Sequence, residues 1–182
     1  MFTKVLQVIR PIARSIKYGR LLRRAEQDAQ QKNVPSLQKP VSFIFGCGRS
    51  GTTILGKLLA AHPKVCYLFE PYHTWRAILP ASDMIQLYGE SAHGTHCILG
   101  KDSISETQIQ RFNACMQREL SRSGNTSLSL IEKTPINVMR IPMLKALSPT
   151  SPMLHLVRNG IDVAIVGGSS SSSSSKSRWY HS

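Results

Sequence analysis

Short runs of β-branched and aromatic residues alternate with helical patterns through the middle of the chain. The first run, Val41–Phe45, ends at Gly46 and is typical of a strand buried in a parallel sheet. A helix is predicted at 52–61, where apolar residues share one face before a His-Pro pair. Further strands are predicted at 65–69, 128–131 and 153–157, and a later helix at 105–120. This order indicates an α/β sandwich with a mainly parallel central sheet flanked by helices.

A basic amphipathic pattern at residues 2–24 precedes this core. Its apolar stripe has helical spacing and consists of Val5, Ile9, Ile12 and Ile16. Pro11 interrupts the pattern, so we expect a kink or a helix start there. Two interpretations stay open: a segment that contacts an anionic membrane surface or directs transit, and a solvated helix packed against the domain. Residues 26–40, closed by Pro35 and Pro40, are interpreted as a linker.

Three segments follow from these patterns. Residues 1–40 form the basic segment and linker, and 41–166 form the sandwich domain. Residues 167–182 begin with two glycines and seven serines, and a serine homopolymer cannot bury apolar surface. We therefore predict that this last segment is a disordered tail.

The charge balance indicates an anionic partner. The 182 residues include 23 basic and 10 acidic side chains, for a net charge of +13, and nine of the basic residues lie in 1–40. These residues are neither interleaved with aromatic residues nor placed on a nucleic-acid-binding motif, so nucleic acid is not expected as a partner. An anionic membrane surface or a phosphorylated or sulfated ligand fits the charge better.

Cysteine spacing and hydropathy bear on the cellular location. The four cysteines are widely separated and form no metal-ligand cluster, so we expect reduced thiols and no metal site. No run of 18 apolar residues occurs, and the N-terminus lacks the apolar segment of a secretory signal. A cytoplasmic protein is therefore predicted, with peripheral membrane contact through 2–24 as an open interpretation.

A glycine-rich segment, Gly46-Cys-Gly-Arg-Ser-Gly-Thr-Thr53, joins the first predicted strand to the following helix. A strand–turn–helix junction presents backbone N–H groups and a helix dipole to an anion, and glycines permit the tight turn. The spacing matches the P-loop pattern G-x-x-x-x-G, but Thr52 occupies the place of the P-loop lysine. The segment therefore predicts a P-loop-like phosphate site that differs from that of nucleotide triphosphatases.

Three motifs in order resemble the sulfotransferases that use 3′-phosphoadenosine 5′-phosphosulfate (PAPS). The first is Phe43-Ile-Phe-Gly-Cys-Gly-Arg-Ser-Gly-Thr-Thr-Ile-Leu55, followed by Ala-His-Pro and Phe-Glu-Pro. The others are Ile131-Glu-Lys-Thr-Pro135 and Leu156-Val-Arg-Asn-Gly-Ile-Asp-Val-Ala164. The R-S-G-T-T lettering is most similar to the bacterial-type and tyrosylprotein-type branch.

The resemblance implies a role for each motif residue. The 5′-phosphosulfate would be held by Arg49, Ser50, Gly51, Thr52 and Thr53, and the 3′-phosphate by Arg158. Glu70 stands where this branch keeps its general base, and Lys133 matches the lysine that stabilises charge on the leaving phosphate. His73 is the alternative base. PAPS would be the co-substrate without a metal, and the acceptor a hydroxyl or amine on a small molecule, carbohydrate or protein.

The match to the family pattern ends near Val166. The family has a serine at this position, whereas Val166 is followed by Gly-Gly and the serine tract. We therefore expect a sandwich whose C-terminal part is missing, through truncation or a frame shift, and whose activity is reduced or lost. Two other functions stay open: a nucleotide-binding protein of the kinase or NTPase kind, and a non-enzymatic protein that binds membranes or proteins through its basic N-terminus.

Overall fold

A computed structural model describes residues 2–32, 34–84, 97–125 and 128–168. Its centre is a four-stranded sheet in which every pair of neighbouring strands is parallel. The strands are β1 (Ser42–Gly46), β2 (Val65–Phe69), β3 (Ser129–Lys133) and β4 (Met153–Leu156), in the spatial order β2-β3-β1-β4. The predicted mainly parallel α/β architecture is therefore confirmed, and each predicted strand is present within two residues of its predicted bounds.

Six α-helices surround the sheet in the described parts of the chain. They are α1 (Phe2–Ala29), α2 (Thr52–Ala60), α3 (Tyr72–Ile78), α4 (Glu106–Arg122), α5 (Ile141–Leu147) and α6 (Gly160–Gly168). Short 3₁₀ helices at Pro80–Ser82, Lys101–Ser103 and Pro135–Met139 complete the connections. Within the described residues, no helix has the length and apolarity needed to cross a bilayer.

Helix α1 extends further than its sequence pattern predicts. It begins at Phe2, in agreement with the pattern predicted at 2–24 and without a new helix start near Pro11, and it continues to Ala29, four residues into the predicted linker. The extension is stabilised by tertiary contacts, because Ala25 and Ala29 are buried and Asp28 forms a 2.5 Å ion pair with Arg122 of α4. Packing against the domain therefore overrides the polar character of residues 26–29.

The last described helix also crosses a predicted boundary. Helix α6 includes Gly167 and Gly168, which the sequence pattern places in the tail. The serine tract itself, at 169–175, lies outside the described residues.

The main core lies between the sheet and helices α1, α3 and α4. Trp75 packs in a tilted arrangement against Phe43 of β1, with ring centroids 6.3 Å apart, and both rings contact Phe112 of α4. All three are at most 1% exposed. This cluster attaches α3 to the sheet and so fixes the chain that directly follows β2.

The topology creates a crevice at the carboxyl ends of β1 and β3. These two strands are neighbours, but β1 connects through α2 towards the β2 side, whereas β3 connects through α5 towards the β4 side. In open parallel sheets, ligands bind where neighbouring connections leave in opposite directions. The glycine-rich segment follows β1 at this point, and Lys133 ends β3.

Candidate functional site

The glycine-rich segment forms a tight loop between β1 and α2. Gly51 has φ = 101°, a left-handed conformation that side chains rarely adopt, and it caps the N-terminus of α2. At Gly46, an added Cβ would lie 2.4 Å from the carbonyl oxygen of Leu156 and 2.9 Å from Ser50 Oγ. Glycine is thus required at Gly46 by close packing against β4 and at Gly51 by backbone conformation.

Arg49 and Arg158 meet on this loop although 109 residues separate them. Arg49 has φ = 67°, and its carbonyl oxygen accepts a 3.3 Å hydrogen bond from Arg158 Nη1. Arg158 Nε also lies 3.9 Å from Asp162 in the first turn of α6. The structure therefore brings the arginine of the third motif to the loop of the first motif.

The interior of the loop offers groups suited to an anion. Ser50 is buried, and its Oγ has no hydrogen-bond partner among the described residues. The adjacent first turn of α2, which begins at Thr52, has N–H groups without acceptors in the helix and the positive end of the helix dipole. A buried hydroxyl beside a helix N-terminus fits a phosphate or sulfate group, which would accept these hydrogen bonds.

Glu70, Lys133 and Thr53 form a partly buried polar cluster beside the loop. Lys133 Nζ lies 2.5 Å from Glu70 Oε1 and 3.0 Å from Thr53 Oγ1. The Lys133 side chain is fully buried and lies 4.1 Å from the centre of the Phe69 ring. The strand register explains the meeting: Phe69 of β2 pairs with Lys133 of β3, so the next residue, Glu70, emerges beside the lysine.

The backbone at Glu70 has an unusual conformation. Its φ of 44° makes it, with Arg49, one of two non-glycine residues with positive φ in the described chain. The Glu70 N–H donates to the carbonyl of Lys133 at 2.8 Å, and its carbonyl accepts from the N–H of Tyr72 at 2.7 Å. Such conformations cost about 1–3 kcal/mol each and concentrate at functional sites. Both of these residues are among the candidates predicted from sequence.

Tyr72 is a site residue that sequence analysis missed. Its hydroxyl donates a 2.7 Å hydrogen bond to Glu70 Oε2, so the two carboxylate oxygens of Glu70 face Tyr72 and Lys133. The sequence shows only that a tyrosine follows Glu70 by two positions. The contact between the two side chains depends on the positive φ of Glu70, which the sequence does not reveal.

Glu132 occupies the opposite face of β3 from Lys133. It is completely buried and accepts hydrogen bonds from Trp75 Nε1 at 2.9 Å, Asn137 Nδ2 at 3.1 Å and the Thr134 hydroxyl. Burial raises the pKa of this carboxyl to about 7, although these three donors and the charge of Lys133 oppose the rise. Its contacts attach the end of β3 to α3 and to the 3₁₀ helix at Pro135–Met139, so Glu132 supports the position of Lys133.

His73 points away from this cluster. Its ring lies edge-on to Tyr18 of α1, with centroids 6.5 Å apart. Burial, and secondarily the charge of Arg122, lower the pKa of His73 to about 4. His73 therefore belongs to the interface between α1 and α3, and Glu70 is the carboxylate that faces the loop.

A cavity of about 460 Å³ opens between the loop and Glu70. We call it the Glu70 cavity. Its lining consists of Gly46, Cys47, Gly48, Glu70, Tyr72, Met84, Pro135, Ile136, Val138, Met139 and His155. A molecule in this cavity would touch both the glycine-rich loop and the Glu70 carboxylate.

Comparison with known proteins identifies the class to which this fold and loop belong. A family model described as "Sulfotransferase family" matches residues 40–181. The chain therefore belongs to the sulfotransferase family, as the sequence motifs indicated.

The chain is also similar to the nodulation protein NoeE of Sinorhizobium fredii (strain NBRC 101917 / NGR234). It is 30% identical to this chain over 136 residues, which cover 68% of this chain and 30% of NoeE. The chain thus matches less than a third of the length of this relative.

Proposed function

We propose that this protein transfers the sulfuryl group of PAPS to an acceptor hydroxyl or amine. The observation that carries the proposal is the convergence of three distant motifs at one edge of the sheet. The loop after β1, the Glu70–Lys133 pair after β2 and β3, and Arg158 after β4 all lie at the carboxyl ends of the strands. Membership of the sulfotransferase family supports the same reaction class.

The donor would bind along the loop. Its 5′-phosphosulfate would be held by backbone amides and side chains of Arg49, Ser50, Gly51, Thr52 and Thr53. The buried Ser50 hydroxyl and the N-terminus of α2 supply the hydrogen-bond donors that support this assignment. Arg158, which contacts the carbonyl of Arg49, would bind the 3′-phosphate that distinguishes PAPS from ordinary adenine nucleotides. In this arrangement arginine and lysine supply the positive charge, without a metal.

The transfer itself would be a single in-line displacement. The acceptor oxygen attacks sulfur and forms a new O–S bond while its proton passes to Glu70. The bond between sulfur and the bridging oxygen breaks, and its electron pair leaves on 3′-phosphoadenosine 5′-phosphate (PAP). Lys133, held between Glu70 and Thr53, would stabilise the charge that develops on this oxygen.

The R-S-G-T-T lettering of the loop supports a place in the bacterial-type and tyrosylprotein-type branch. That branch uses a glutamate in the position of Glu70, and the structure has Glu70, rather than His73, lining the cavity beside the loop.

We further propose peripheral contact with anionic membranes through α1. The basic side chains Lys17, Arg20, Arg23 and Arg24 of this helix are exposed, and Ile16 among them is 51% exposed. The buried Ala25 and Ala29 attach the helix to the domain, so the basic residues stay at the surface. Exposed cations next to an apolar residue favour an anionic lipid surface.

Calorimetric titration with PAP and with ADP tests the enzymatic proposal. PAP should bind at least about tenfold more tightly than ADP, because the 3′-phosphate adds a charge-assisted interaction with Arg158. Equal affinity for the two nucleotides would contradict the donor assignment.

A further inference from the structure

Tyr72 follows a tight turn that directs the chain back towards Glu70. Glu70 has φ = 44°, and Pro71 follows with φ = −78° and ψ = 62°. The angles of Pro71 are those of an inverse γ-turn, which the N–H of Tyr72 closes by donating to the carbonyl of Glu70 at 2.7 Å. The proline ring restricts φ to this region. The backbone therefore places Tyr72 beside Glu70.

The side chain of Tyr72 adds a second contact with Glu70. Its hydroxyl donates to Glu70 Oε2 at 2.7 Å, while Lys133 Nζ lies 2.5 Å from Oε1. Each carboxylate oxygen thus has its own donor, which fixes the orientation of the group. Tyr72 and Glu70 both line the Glu70 cavity, whereas the Lys133 side chain is fully buried. Tyr72 therefore contacts the carboxylate from the cavity side, and Lys133 contacts it from the protein interior.

Helix α3 gives Tyr72 a rigid support. Tyr72 is the first residue of this helix, and Trp75, three positions later, is 1% exposed. Trp75 Nε1 donates to Glu132 Oε1 at 2.9 Å, and Glu132 directly precedes Lys133 in β3. One helix thus contacts Glu70 through Tyr72 and the strand of Lys133 through Trp75. Both partners of the ion pair are therefore positioned from α3.

We propose that Tyr72 is a positioning residue that orients the Glu70 carboxylate towards the acceptor oxygen. The inference rests on the proposed sulfuryl transfer, in which Glu70 takes the acceptor proton. A general base must lie within hydrogen-bond reach of that proton, and a small error in its placement lowers the rate strongly. Without the Tyr72 hydroxyl, the carboxylate would be oriented by its contact with Lys133, which lies on the interior side.

Hydrolysis of PAPS tests this role with water as the acceptor. Water attacks sulfur and passes a proton to Glu70 while the bond between sulfur and the bridging oxygen breaks, which yields sulfate and PAP. Tyr72→Phe keeps the ring and removes the hydroxyl. We expect kcat for PAP release to fall at least about tenfold and the KM for PAPS to change by less than about twofold. An unchanged kcat, or a loss confined to KM, would overturn the proposal.

Tyr67→Phe is the matched control for Tyr72→Phe. Tyr67 lies on β2, and its buried hydroxyl has no hydrogen-bond partner among the described residues. The same substitution at this position removes a hydroxyl that does not contact Glu70, so kcat should stay within about twofold of the wild-type value. Equal losses of kcat in the two variants would show a general effect of the lost hydroxyl, and the role of Tyr72 would be rejected.

A double variant determines whether Tyr72 acts through Glu70. In the Glu70→Gln background, Tyr72→Phe should cause no further loss of kcat, because the carboxylate that Tyr72 orients is absent. The coupling between the two substitutions is the signature of a positioning role. A loss of the same size in both backgrounds would contradict that role.

A measurement without turnover separates this inference from the proposed function. Nuclear magnetic resonance of protein with isotope-labelled glutamate carboxyl carbons reports on Glu70, whose signal is identified by its absence in Glu70→Gln. Its titration midpoint should move to higher pH in Tyr72→Phe but not in Tyr67→Phe, because a hydrogen bond to a carboxylate favours its charged form. An unmoved midpoint would overturn the contact and the role of Tyr72. Wild-type protein that shows the shift on substitution but neither binds PAP nor hydrolyses PAPS would overturn the proposed function instead.

Discussion

Lys133 Nζ lies 2.5 Å from Glu70 Oε1, although the two residues belong to different strand ends and are 63 positions apart. The pairing exists because β2 and β3 are parallel neighbours with Phe69 opposite Lys133. The proposed base and the lysine proposed to stabilise the leaving group thus form one ion pair beside the loop. The base is held by Tyr72 on its other oxygen, so its carboxylate has a defined orientation.

The first prediction concerns the proposed base. Glu70→Gln keeps the size of the side chain and removes its ability to take a proton. Transfer from PAPS should fall by about 10²–10⁴-fold, the usual contribution of general base catalysis, while PAP affinity changes little. Both are measured on the purified protein, by product formation and by calorimetry. Glu106→Gln, at an exposed residue of α4, is the matched control. Unchanged turnover in Glu70→Gln would rule out the role as base.

The second prediction concerns Arg158. Arg158→Ala should weaken PAP binding by at least about tenfold and leave ADP binding unchanged, because ADP lacks the 3′-phosphate. Arg49→Ala should instead weaken both nucleotides, since Arg49 lies in the loop proposed for the 5′ end. Arg118→Ala serves as the control, because Arg118 is an exposed arginine of α4 that bonds Gln31. A parallel loss of PAP and ADP in Arg158→Ala would remove its assignment to the 3′-phosphate.

The contacts of these residues show how much the sequence could predict. The strands and the glycine-rich turn follow from local hydrophobic pattern and glycine spacing, and the structure has them at the predicted places. The residues of the ion pair could be named from the motifs. Their contact could not, because it depends on which strand ends are neighbours in the sheet.

Other features depend on tertiary contacts that no local pattern reveals. Glu132 lies on the same strand as Lys133, but its side chain points to the other face of the sheet. Its hydrogen-bond donors there are Trp75, which is distant in the chain, and the nearby Thr134 and Asn137. The extension of α1 to Ala29 depends on burial against the domain. The 3₁₀ helix at Pro135–Met139 contributes Pro135, Ile136, Val138 and Met139 to the lining of the Glu70 cavity, and this placement depends on how the helix packs beside the loop.

The third prediction concerns the loop. Gly46→Ala places a Cβ 2.4 Å from the backbone oxygen of Leu156, which cannot move without shifting β4. We expect a loss of about 1–3 kcal/mol in the free energy of unfolding and weaker PAP binding. Denaturant unfolding and calorimetry measure the two effects. Gly124→Ala tests strain without a clash, since Gly124 has φ = 79° and a Cβ added there would meet no atom of the described residues within 4 Å. Full stability and full PAP affinity in Gly46→Ala would contradict the packing argument.

The fourth prediction uses the elevated pKa of Glu132. The ordinary pKa of a glutamate carboxyl is 4.5, and that of Glu132 in the folded protein is about 7. Between these two pH values, Glu132 keeps its proton in the folded protein and releases it in the unfolded chain. The stabilisation is therefore complete below pH 4.5 and is lost as the pH rises through about 7, by an amount on the order of 3 kcal/mol. His73 contributes in the opposite sense, because its lowered pKa makes folding more favourable as the pH rises from about 4 to 6.5.

The variant Glu132→Gln isolates the glutamate from the histidine. Its amide cannot ionise, and Asn137 can turn its buried Oδ1, which has no hydrogen-bond partner in the described part of the chain, towards the new N–H group. The free energy of unfolding is measured in urea at pH 5 and at pH 8. We expect its decrease from pH 5 to pH 8 to be smaller in Glu132→Gln than in the wild type, because the variant lacks the titrating carboxyl group. An identical pH dependence in both proteins would show that Glu132 does not titrate in this range.

The fifth prediction concerns α1 and lipid. Replacing Lys17, Arg20, Arg23 and Arg24 with Gln removes four exposed cations without adding opposite charge. At about 1 kcal/mol for each cation near an anionic surface, binding to phosphatidylserine vesicles should fall by roughly 10²–10³-fold. Co-sedimentation with phosphatidylserine and phosphatidylcholine vesicles measures the effect. The control replaces exposed basic residues outside α1, Lys57, Lys64, Lys101 and Lys145, with Gln. Equal losses in the two variants would show that net charge, rather than the surface of α1, determines the attraction, and the membrane proposal would then fail.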